Sequence, residues 1–231
     1  IKSDNNPTAP DGNTIYELGS IGKLFTALIM AEMSLKGQLN YKDPVSKYLP
    51  KRVKIPSRNG KEISLLNLAT HRAGLPRMPY NLDPKNPDNP TADYTIEQLY
   101  ECVSNIELNR DIDSKWQYSN IGYGLLGHAL IRASGKDFES LTKKIITDPL
   151  GMASTMIQLT PALKRNLAMP HTEYGMPTVN WQNPALVGAG AVSSNMNDML
   201  SFAAANVGLL KTNLFPAMEL THVKQGKKDG N

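Results

Sequence analysis

Residues 14–37 read TIYELGSIGKLFTALIMAEMSLKG and predict a short strand followed by a buried helix. The first five of these residues predict the short strand, which Gly19 ends. From Ser20 to Lys36 the residues are apolar on almost every side of a helix, and Gly37 ends that helix. A helix of this kind is buried on most faces, so we expect most of its side chains in the interior, with Ser20 in its first turn.

Ser20 and Lys23 are three residues apart, so one helical turn brings the hydroxyl and the amine to the same face. The positive end of the helix dipole favours developing negative charge on the serine oxygen. Burial disfavours the charged amine and so lowers the pKa of the lysine. Both effects activate a serine as a nucleophile, and the pair is the first candidate site.

The same spacing recurs at Ser140 and Lys143, and a serine and a lysine three apart arise about once by chance in a chain of this length. The second pair falls in a predicted amphipathic helix, where both side chains face water. We therefore interpret Ser140 and Lys143 as surface residues. An α/β-hydrolase is disfavoured, since residues 18–22 lack the first glycine of the G-x-S-x-G elbow and no alternating strand and helix pattern surrounds them.

Composition limits the classes of function open to the chain. Of its 231 residues, 40% are hydrophobic and 20% are charged, an ordinary globular balance. The formal net charge is +4, and the densest basic cluster, residues 224–228, has no interleaved aromatic residue, so we expect no nucleic-acid partner. No stretch approaches the roughly 18 apolar residues that span a bilayer, and the first residues carry no signal pattern, so we expect no membrane span.

Cysteine, histidine and tryptophan point to packing rather than to metal chemistry. The single Cys102 excludes an internal disulfide framework, and we expect it to pack as a small hydrophobe. Four histidines are widely separated in the sequence: His71, His128, His171 and His222. Because zinc-binding helices need close histidine pairs, we interpret these four as polar turn or helix-surface residues and predict no metal and no cofactor. Trp116 and Trp181 could flank a substrate groove, but tryptophan in a globular chain usually packs, so we interpret both as packing residues.

The rest of the chain alternates helices with irregular loops. Helices are predicted over residues 63–70, 95–104, 138–146 and 197–205, and a further apolar helix is predicted after the turn at 116–120, through Leu125 to Gly135. The helix over 138–146 is expected to stop before Asp148 and Pro149. Residues 76–93, rich in proline and asparagine, predict an irregular surface loop. The small residues of 188–194 allow backbones to approach closely.

Five segments, taken in order, resemble class C β-lactamases, D-alanyl-D-alanine carboxypeptidases, penicillin-binding proteins and related esterases. Residues 17–27 resemble the first motif of this superfamily, and residues 65–76 resemble its leucine-rich turn before the site. Tyr118-Ser119-Asn120 matches the second catalytic motif, and residues 148–152 and 188–194 match later structural signatures. The resemblance covers roughly residues 14–205, and it assigns roles to single residues.

The resemblance implies that Ser20 is acylated and that Lys23 holds its proton network. Tyr118 would act as base or acid through its phenol, although a tyrosine with an ordinary pKa of about 10 needs the Lys23 charge or a proton relay to do so. Asn120 would bind the substrate amide. The backbone N–H of Ser20 would form half of an oxyanion hole, since N-terminal amides of a helix are unpaired.

The resemblance also implies an α+β fold of the β-lactamase/transpeptidase type, with an antiparallel sheet flanked by helices and a mainly helical region. We expect one catalytic domain over 1–231, with the strand and nucleophile helix at 14–37 and the helical region at 60–165. The superfamily's third motif, Lys-Thr-Gly or His-x-Gly, has only a superficial match at residues 224–226. We therefore expect an incomplete domain, with sheet strands at both ends and the second oxyanion donor outside this sequence.

The implied activity is a serine hydrolase that forms an acyl-enzyme on Ser20 and acts on peptidoglycan-like D-Ala peptides or β-lactams. Ser119 tilts the choice towards a peptidase or a broad hydrolase, since class C β-lactamases commonly carry alanine in the middle of this motif. An esterase of the same superfamily and a non-catalytic penicillin-binding or sensor module stay open as alternatives. The resemblance also implies a small-molecule or peptide substrate and a periplasmic or secreted location, and it leaves the oligomeric state open.

Overall fold

The structure is a computed structural model that describes residues 9–225. Its strands are β1 (Ile15–Glu17), β2 (Ser57–Arg58), β3 (Lys61–Glu62) and β4 (Ser193–Asn195). Its helices are α1 (Gly22–Leu35), α2 (Leu65–Ala69), α3 (Ile96–Ser104), α4 (Asn120–Ser134), α5 (Phe138–Thr142), α6 (Asp148–Leu150), α7 (Pro161–Lys164), α8 (Val187–Gly190), α9 (Met196–Asn206) and α10 (Phe215–His222). Two 3₁₀ turns (Gly19–Ile21, Val45–Tyr48) and a π turn (Lys143–Thr147) lie between them.

Strand β1, which leads into the Ser20 turn, is held on both edges. It pairs antiparallel with β4, with Ile15 opposite Asn195. On the other edge, Ile15 donates its N–H to the Asn166 carbonyl at 2.8 Å and accepts from the Ala168 N–H at 2.8 Å. The predicted strand is confirmed, and its pairing fixes the position of the chain just before Ser20. Strands β2 and β3 form a separate antiparallel hairpin.

Helix α1 lies at the centre of the molecule. It packs against α4, α8 and α10, and most of its side chains are buried, as the sequence predicts. The ring of Phe25 stacks on Phe202 of α9 with 4.8 Å between ring centroids. The burial is not complete, since Leu24 and Leu35 are each about half exposed. In the first turn of the helix, Lys23 is therefore buried in the interior while its neighbour Leu24 reaches the surface.

The small-residue segment brings α8 into backbone contact with two neighbours, as predicted. A Cβ atom on Gly188 would lie 2.4 Å from the Tyr123 carbonyl oxygen of α4. A Cβ atom on Gly190 would lie 2.7 Å from the carbonyl oxygen of Gly19. Thr26 of α1 donates its hydroxyl to the Gly188 carbonyl at 2.7 Å. Glycine is therefore required where α8 crosses α4 and the Ser20 turn.

Gly188→Ala is expected to lower the free energy of unfolding by about 1–3 kcal/mol, because the new methyl group would force two backbones apart. Gly122→Ala is the matched control on α4, since the nearest atom to its new Cβ would lie at an ordinary 3.5 Å. Alanine favours a helix over glycine by about 1 kcal/mol, so the control should be neutral or stabilising. Urea denaturation measures both, and equal stability of the two variants would contradict the close packing of α8.

The helix predicted over residues 138–146 does not stop before Asp148 and Pro149, so that prediction is wrong. It continues from α5 through the π turn Lys143–Thr147 into α6 and ends at Gly151, which has a left-handed φ of 67°. A proline lacks an N–H and crowds the carbonyl four residues back. The π turn changes the backbone pairing directly before Pro149, and the helix can therefore run on.

The other predicted helices are confirmed as α2, α3, α4 and α9. Cys102 of α3 is fully buried, which confirms its packing role. Helix α10 was not predicted from the sequence. It follows an irregular stretch and carries Pro216 in its first turn. Its buried residues Ala217 and Met218 place it against α1. Within residues 9–225, no helix is long and apolar enough to cross a membrane.

Candidate active site

Ser20 lies at the surface, in the 3₁₀ turn between β1 and α1. Gly19 begins this turn with a φ of 51°, a left-handed conformation that glycine adopts without strain. The Leu18 N–H donates to the Val192 carbonyl at 2.9 Å and ties the turn to the segment before β4. The tight turn leaves the Ser20 side chain exposed directly before the buried helix.

Lys23 lies on the first turn of α1 and is buried, with 6% of its surface exposed. Its ammonium donates to three oxygens: Ser20 Oγ at 3.1 Å, Asn120 Oδ1 at 2.9 Å and the Ala189 carbonyl at 2.6 Å. A lysine ammonium carries three donors, so all of them are used. The contact between Ser20 and Lys23 that the helical spacing predicts is present, and Asn120 joins it.

Tyr118 completes the cluster. Its hydroxyl is hydrogen-bonded to Ser20 Oγ, and either oxygen can be the donor. The Lys23 ammonium lies 4.7 Å from the centre of the Tyr118 ring. Asn120 begins α4 and donates from Nδ2 to the sulfur of Met78 at 3.1 Å. The structure therefore brings the four predicted site residues together around one serine oxygen.

The environment of the cluster lowers the pKa values of both Lys23 and Tyr118. Both directions suit proton transfer. Burial lowers the pKa of Lys23, and the charge of Arg77 lowers it further, although contact with Tyr118 opposes the shift. Burial alone would raise the pKa of the Tyr118 phenol, but the Lys23 ammonium, the hydrogen bond with Ser20 and the charge of Arg77 together lower it. The deprotonated phenolate, the form that can accept a proton, is therefore reached at lower pH here than in a free tyrosine.

The second serine and lysine pair is built differently. Ser140 and Lys143 are both exposed. Ser140 donates its hydroxyl to Asp137 Oδ2 at 2.8 Å, and Lys143 forms an ion pair with Asp148. These are ordinary surface contacts, so the surface interpretation of this pair is confirmed. The two pairs have the same spacing. What distinguishes Ser20 and Lys23 is the burial of Lys23 and the contacts with Tyr118 and Asn120.

The sequence analysis missed two residues that contact Tyr118. The ring of His71 lies 4.6 Å from the Tyr118 ring, and the guanidinium carbon of Arg77 lies 4.8 Å from the centre of that ring. His71 is a turn residue, as predicted, but it also belongs to the site. The resemblance of residues 65–76 was the signal that could have found it. Arg77 is exposed at the mouth of the site and directly follows that segment.

Two further interpretations are corrected. His128 is not a helix-surface residue, because it is 4% exposed and its Nε2 is hydrogen-bonded to the Ala185 carbonyl at 2.8 Å. It faces the segment that leads into α8, where that bond satisfies its polar ring. Trp181 is not a packing residue, since 53% of its surface is exposed. Trp116 is 50% exposed and meets His71 edge-on at 5.8 Å.

An open groove of about 1270 Å³ runs beside the Ser20 turn. Its walls include Glu17, Gly19, Gly190 and Trp181. Burial raises the pKa of Glu17, although hydrogen bonds from Asn180 and the Trp181 backbone oppose the shift. Among residues 9–225 no group of three histidine, cysteine, aspartate or glutamate side chains is arranged to hold a metal. Residues 224–226, the superficial match to the third motif, lie partly outside the described residues.

Comparison with known proteins gives consistent matches. The Beta-lactamase family profile matches residues 2–230. The D-alanyl-D-alanine-carboxypeptidase/endopeptidase AmpH of Escherichia coli (strain K12) is 33% identical over 195 residues, which cover 84% of this chain and 49% of that protein. The chain therefore spans about half the length of the curated relatives it matches.

Solved structures agree with the sequence matches. A β-lactamase/D-alanine carboxypeptidase from Yersinia pestis, complexed with citrate, superposes with a TM-score of 0.76 at 30% identity and covers 87% of this chain and 56% of that one. A class C β-lactamase from Rhodobacter sphaeroides superposes with a TM-score of 0.79 at 25% identity and covers 95% of this chain and 59% of that one. The predicted α+β fold of the β-lactamase/transpeptidase type is confirmed by these likenesses.

Proposed function

Because the chain belongs to the Beta-lactamase family, we propose that it is a serine hydrolase that forms an acyl-enzyme on Ser20. The observation that carries the proposal is the convergence of Tyr118 and Lys23 on the exposed Ser20 oxygen. A nucleophilic serine needs a base within hydrogen-bonding distance and a second group that stabilises that base. The phenol and the buried ammonium supply these two functions.

In the acylation step, Ser20 Oγ attacks the carbonyl carbon of an amide or ester and its proton passes to Tyr118 Oη. The new C–O bond forms as the carbonyl becomes a tetrahedral oxyanion, and the Lys23 charge stabilises the phenol in its deprotonated form. Collapse of that intermediate breaks the bond to the leaving group, which takes the proton from Tyr118. The product is an ester between the acyl group and Ser20.

Deacylation reverses the proton path. Water attacks the ester carbonyl carbon while Tyr118 takes one of its protons. The bond between the acyl carbon and Ser20 Oγ then breaks, and Ser20 regains a proton from Tyr118. The backbone N–H of Ser20 is one oxyanion donor in this proposal, since the first N–H groups of a helix lack intrahelical partners and point towards developing charge.

Asn120 is proposed to bind the substrate amide through Nδ2. Its Oδ1 already accepts from Lys23, which fixes the orientation of the side chain. Among residues 9–225, its Nδ2 donates only to the sulfur of Met78, and a thioether is a weak acceptor. A substrate carbonyl can therefore replace that contact at little cost and gain a stronger hydrogen bond.

The proposed substrates are peptidoglycan-like D-Ala peptides, with β-lactams as alternatives of the same acyl-donor geometry. The names of the relatives support this choice, since they include a D-alanyl-D-alanine carboxypeptidase and β-lactamases. Ser119 does not help to choose between them. It is 3% exposed, donates to the Pro76 carbonyl and caps α4 through the Gly122 N–H, so it faces away from a substrate. Export to the periplasm or cell surface is part of this proposal.

Relative turnover of three substrates tests the proposal: an N-acyl D-Ala-D-Ala peptide, nitrocefin and p-nitrophenyl butyrate. We expect the largest kcat/KM for the peptide or for nitrocefin. Turnover of the butyrate alone would favour an esterase. A stable adduct with a fluorescent penicillin, without turnover of any substrate, would favour a penicillin-binding or sensor module. A folded protein that neither turns over a substrate nor forms an adduct would contradict the proposed function.

Tyr118→Phe is expected to lower the acylation rate about 10²- to 10³-fold, the usual contribution of a positioned acid or base. The substitution removes one oxygen atom and keeps the ring contacts with His71. Tyr174→Phe is the control, because that tyrosine is 84% exposed. Stopped-flow fluorescence with a labelled penicillin measures both rates. Equal rates for the two variants would exclude Tyr118 from the proton path.

A further inference from the structure

His71 stands in a backbone conformation that is uncommon for a residue with a side chain. Its φ of 58° lies in the left-handed region, which only a few per cent of non-glycine residues adopt. Glycine would adopt it without strain, but the turn before Arg72 carries an imidazole. The contacts of that residue hold it in place, and several of them are with Tyr118 or with the residues on either side of it.

His71 accepts hydrogen bonds from the backbone N–H groups of both sequence neighbours of Tyr118. The His71 carbonyl accepts from the Gln117 N–H at 2.8 Å. The His71 Nδ1 accepts from the Ser119 N–H at 3.0 Å. Since these donors flank Tyr118 in sequence, the two bonds fix where its Cα lies and in which direction its side chain leaves the backbone.

The ring of His71 also restricts the phenol directly. It lies 4.6 Å from the Tyr118 ring at 33° and 5.0 Å from the Tyr123 ring at 44°. Trp116 meets it edge-on. The imidazole therefore fills the space between the tyrosine of the site and the buried tyrosine of α4, and Tyr118 cannot move away from Ser20 on that side.

The bond to the Ser119 N–H requires a neutral imidazole with its proton on Nε2, because Nδ1 must carry a lone pair. Burial lowers the pKa of His71 to about 4, and the charge of Lys23 adds to the effect. The acceptor is therefore present throughout the neutral pH range. Among residues 9–225, the titratable or charged groups that interact with Tyr118 are Lys23, Arg77, Tyr123 and His71 itself, and the Ser20 hydroxyl shares a hydrogen bond with it.

We propose that His71 is a positioning residue that holds the Tyr118 hydroxyl on the Ser20 oxygen. It acts through the two backbone bonds that flank Tyr118 and through ring contact, and it does not touch the substrate. The inference deepens the proposed function, on which its importance for acylation rests. The geometric part can be tested without any turnover.

Two substitutions separate the acceptor from the ring. His71→Asn keeps a side-chain oxygen that can accept from the Ser119 N–H, and asparagine tolerates the left-handed conformation. His71→Phe keeps an aromatic ring and removes the acceptor. We expect the phenol pKa of Tyr118, read from ¹³Cζ-tyrosine NMR and assigned with Tyr118→Phe, to lie below its ordinary value in the native protein. It should stay there in His71→Asn and rise in His71→Phe, because a displaced phenol loses Lys23 and Ser20.

A loss of stability alone would not move the phenol pKa of a folded variant, so this readout separates positioning from a structural role. An unchanged phenol pKa in His71→Phe would overturn the proposal. So would equal shifts in both variants. The native protein gives a further test that needs no variant: ¹⁵N-histidine NMR at pH 7 should show the Nε2–H tautomer of His71. The Nδ1–H tautomer would overturn the proposal, even if a variant does not fold.

Acylation by a fluorescent penicillin gives the functional readout. His71→Phe should slow it about 100-fold, which is the cost of a displacement of about 1 Å in a catalytic group, and His71→Asn should recover most of the rate. If the native protein is not acylated and turns over no substrate, the proposed function fails, while the tautomer and the phenol pKa still decide the role of His71. If it is acylated and His71→Phe reacts at the native rate, the positioning role fails alone.

Discussion

Ser20→Ala is expected to abolish the covalent adduct with a fluorescent penicillin and to lower turnover by a factor on the order of 10⁶. The variant removes the oxygen on which Tyr118 and Lys23 converge, so no other group can form the ester. Ser20 is exposed and its substitution leaves the buried core intact, so the unfolding transition should stay close to that of the native protein.

Ser140→Ala is the matched control, because Ser140 and Lys143 have the same spacing as Ser20 and Lys23. It should keep full labelling and turnover, since the Ser140 hydroxyl donates to Asp137 at the surface and is not part of the Ser20 cluster. Intact mass and initial rates measure both variants. An adduct that survives in Ser20→Ala and disappears in Ser140→Ala would contradict the assignment of the nucleophile.

Lys23→Met is expected to lower the acylation rate about 10⁴-fold, at the upper end of what proton-transfer groups contribute. Methionine fills a similar volume without the ammonium, so Ser20, Asn120 and Ala189 each lose a donor. The fold should survive, because removing a buried charge offsets part of the cost of the unpaired oxygens.

The pH dependence of this variant gives a second readout with a defined sign. The Lys23 ammonium is one of the groups that lower the pKa of Tyr118, and its removal raises that pKa. The basic form of the phenol is then reached only at higher pH. The ascending limb of the acylation profile should therefore move to higher pH. Lys143→Met should change neither the acylation rate nor the position of the ascending limb. An ascending limb at the native pH in Lys23→Met would contradict the role of the ammonium.

Local patterns in the sequence were enough for the first half of the site. The helical spacing of Ser20 and Lys23 places both on one face, and Gly19 and Gly37 mark the ends of the helix region. Tyr118 and Asn120 are different, since 97 residues separate Asn120 from the Lys23 it contacts. No local periodicity reports such a distant contact, and only the resemblance of a whole motif placed them in the site.

The rest depended on tertiary contacts that a single sequence does not encode in a local pattern. His71 and Arg77 lie in loops, where side-chain direction follows from packing against Tyr118 and not from helix or strand periodicity. His128 occupies a helix position that reads as surface but faces the segment before α8. Pro149 predicted a helix end because the π turn that accommodates it leaves no clear sequence signal.

The central claim is that Ser20 is the residue that becomes acylated. The most direct test treats the native protein with a penicillin, quenches with acid, digests with trypsin and locates the added mass. We predict that the mass lies on the peptide of residues 3–23, which contains Ser20. An added mass on the peptide of residues 137–143, which contains Ser140, would contradict the account, and so would a folded protein that neither acquires added mass nor turns over any of the three substrates.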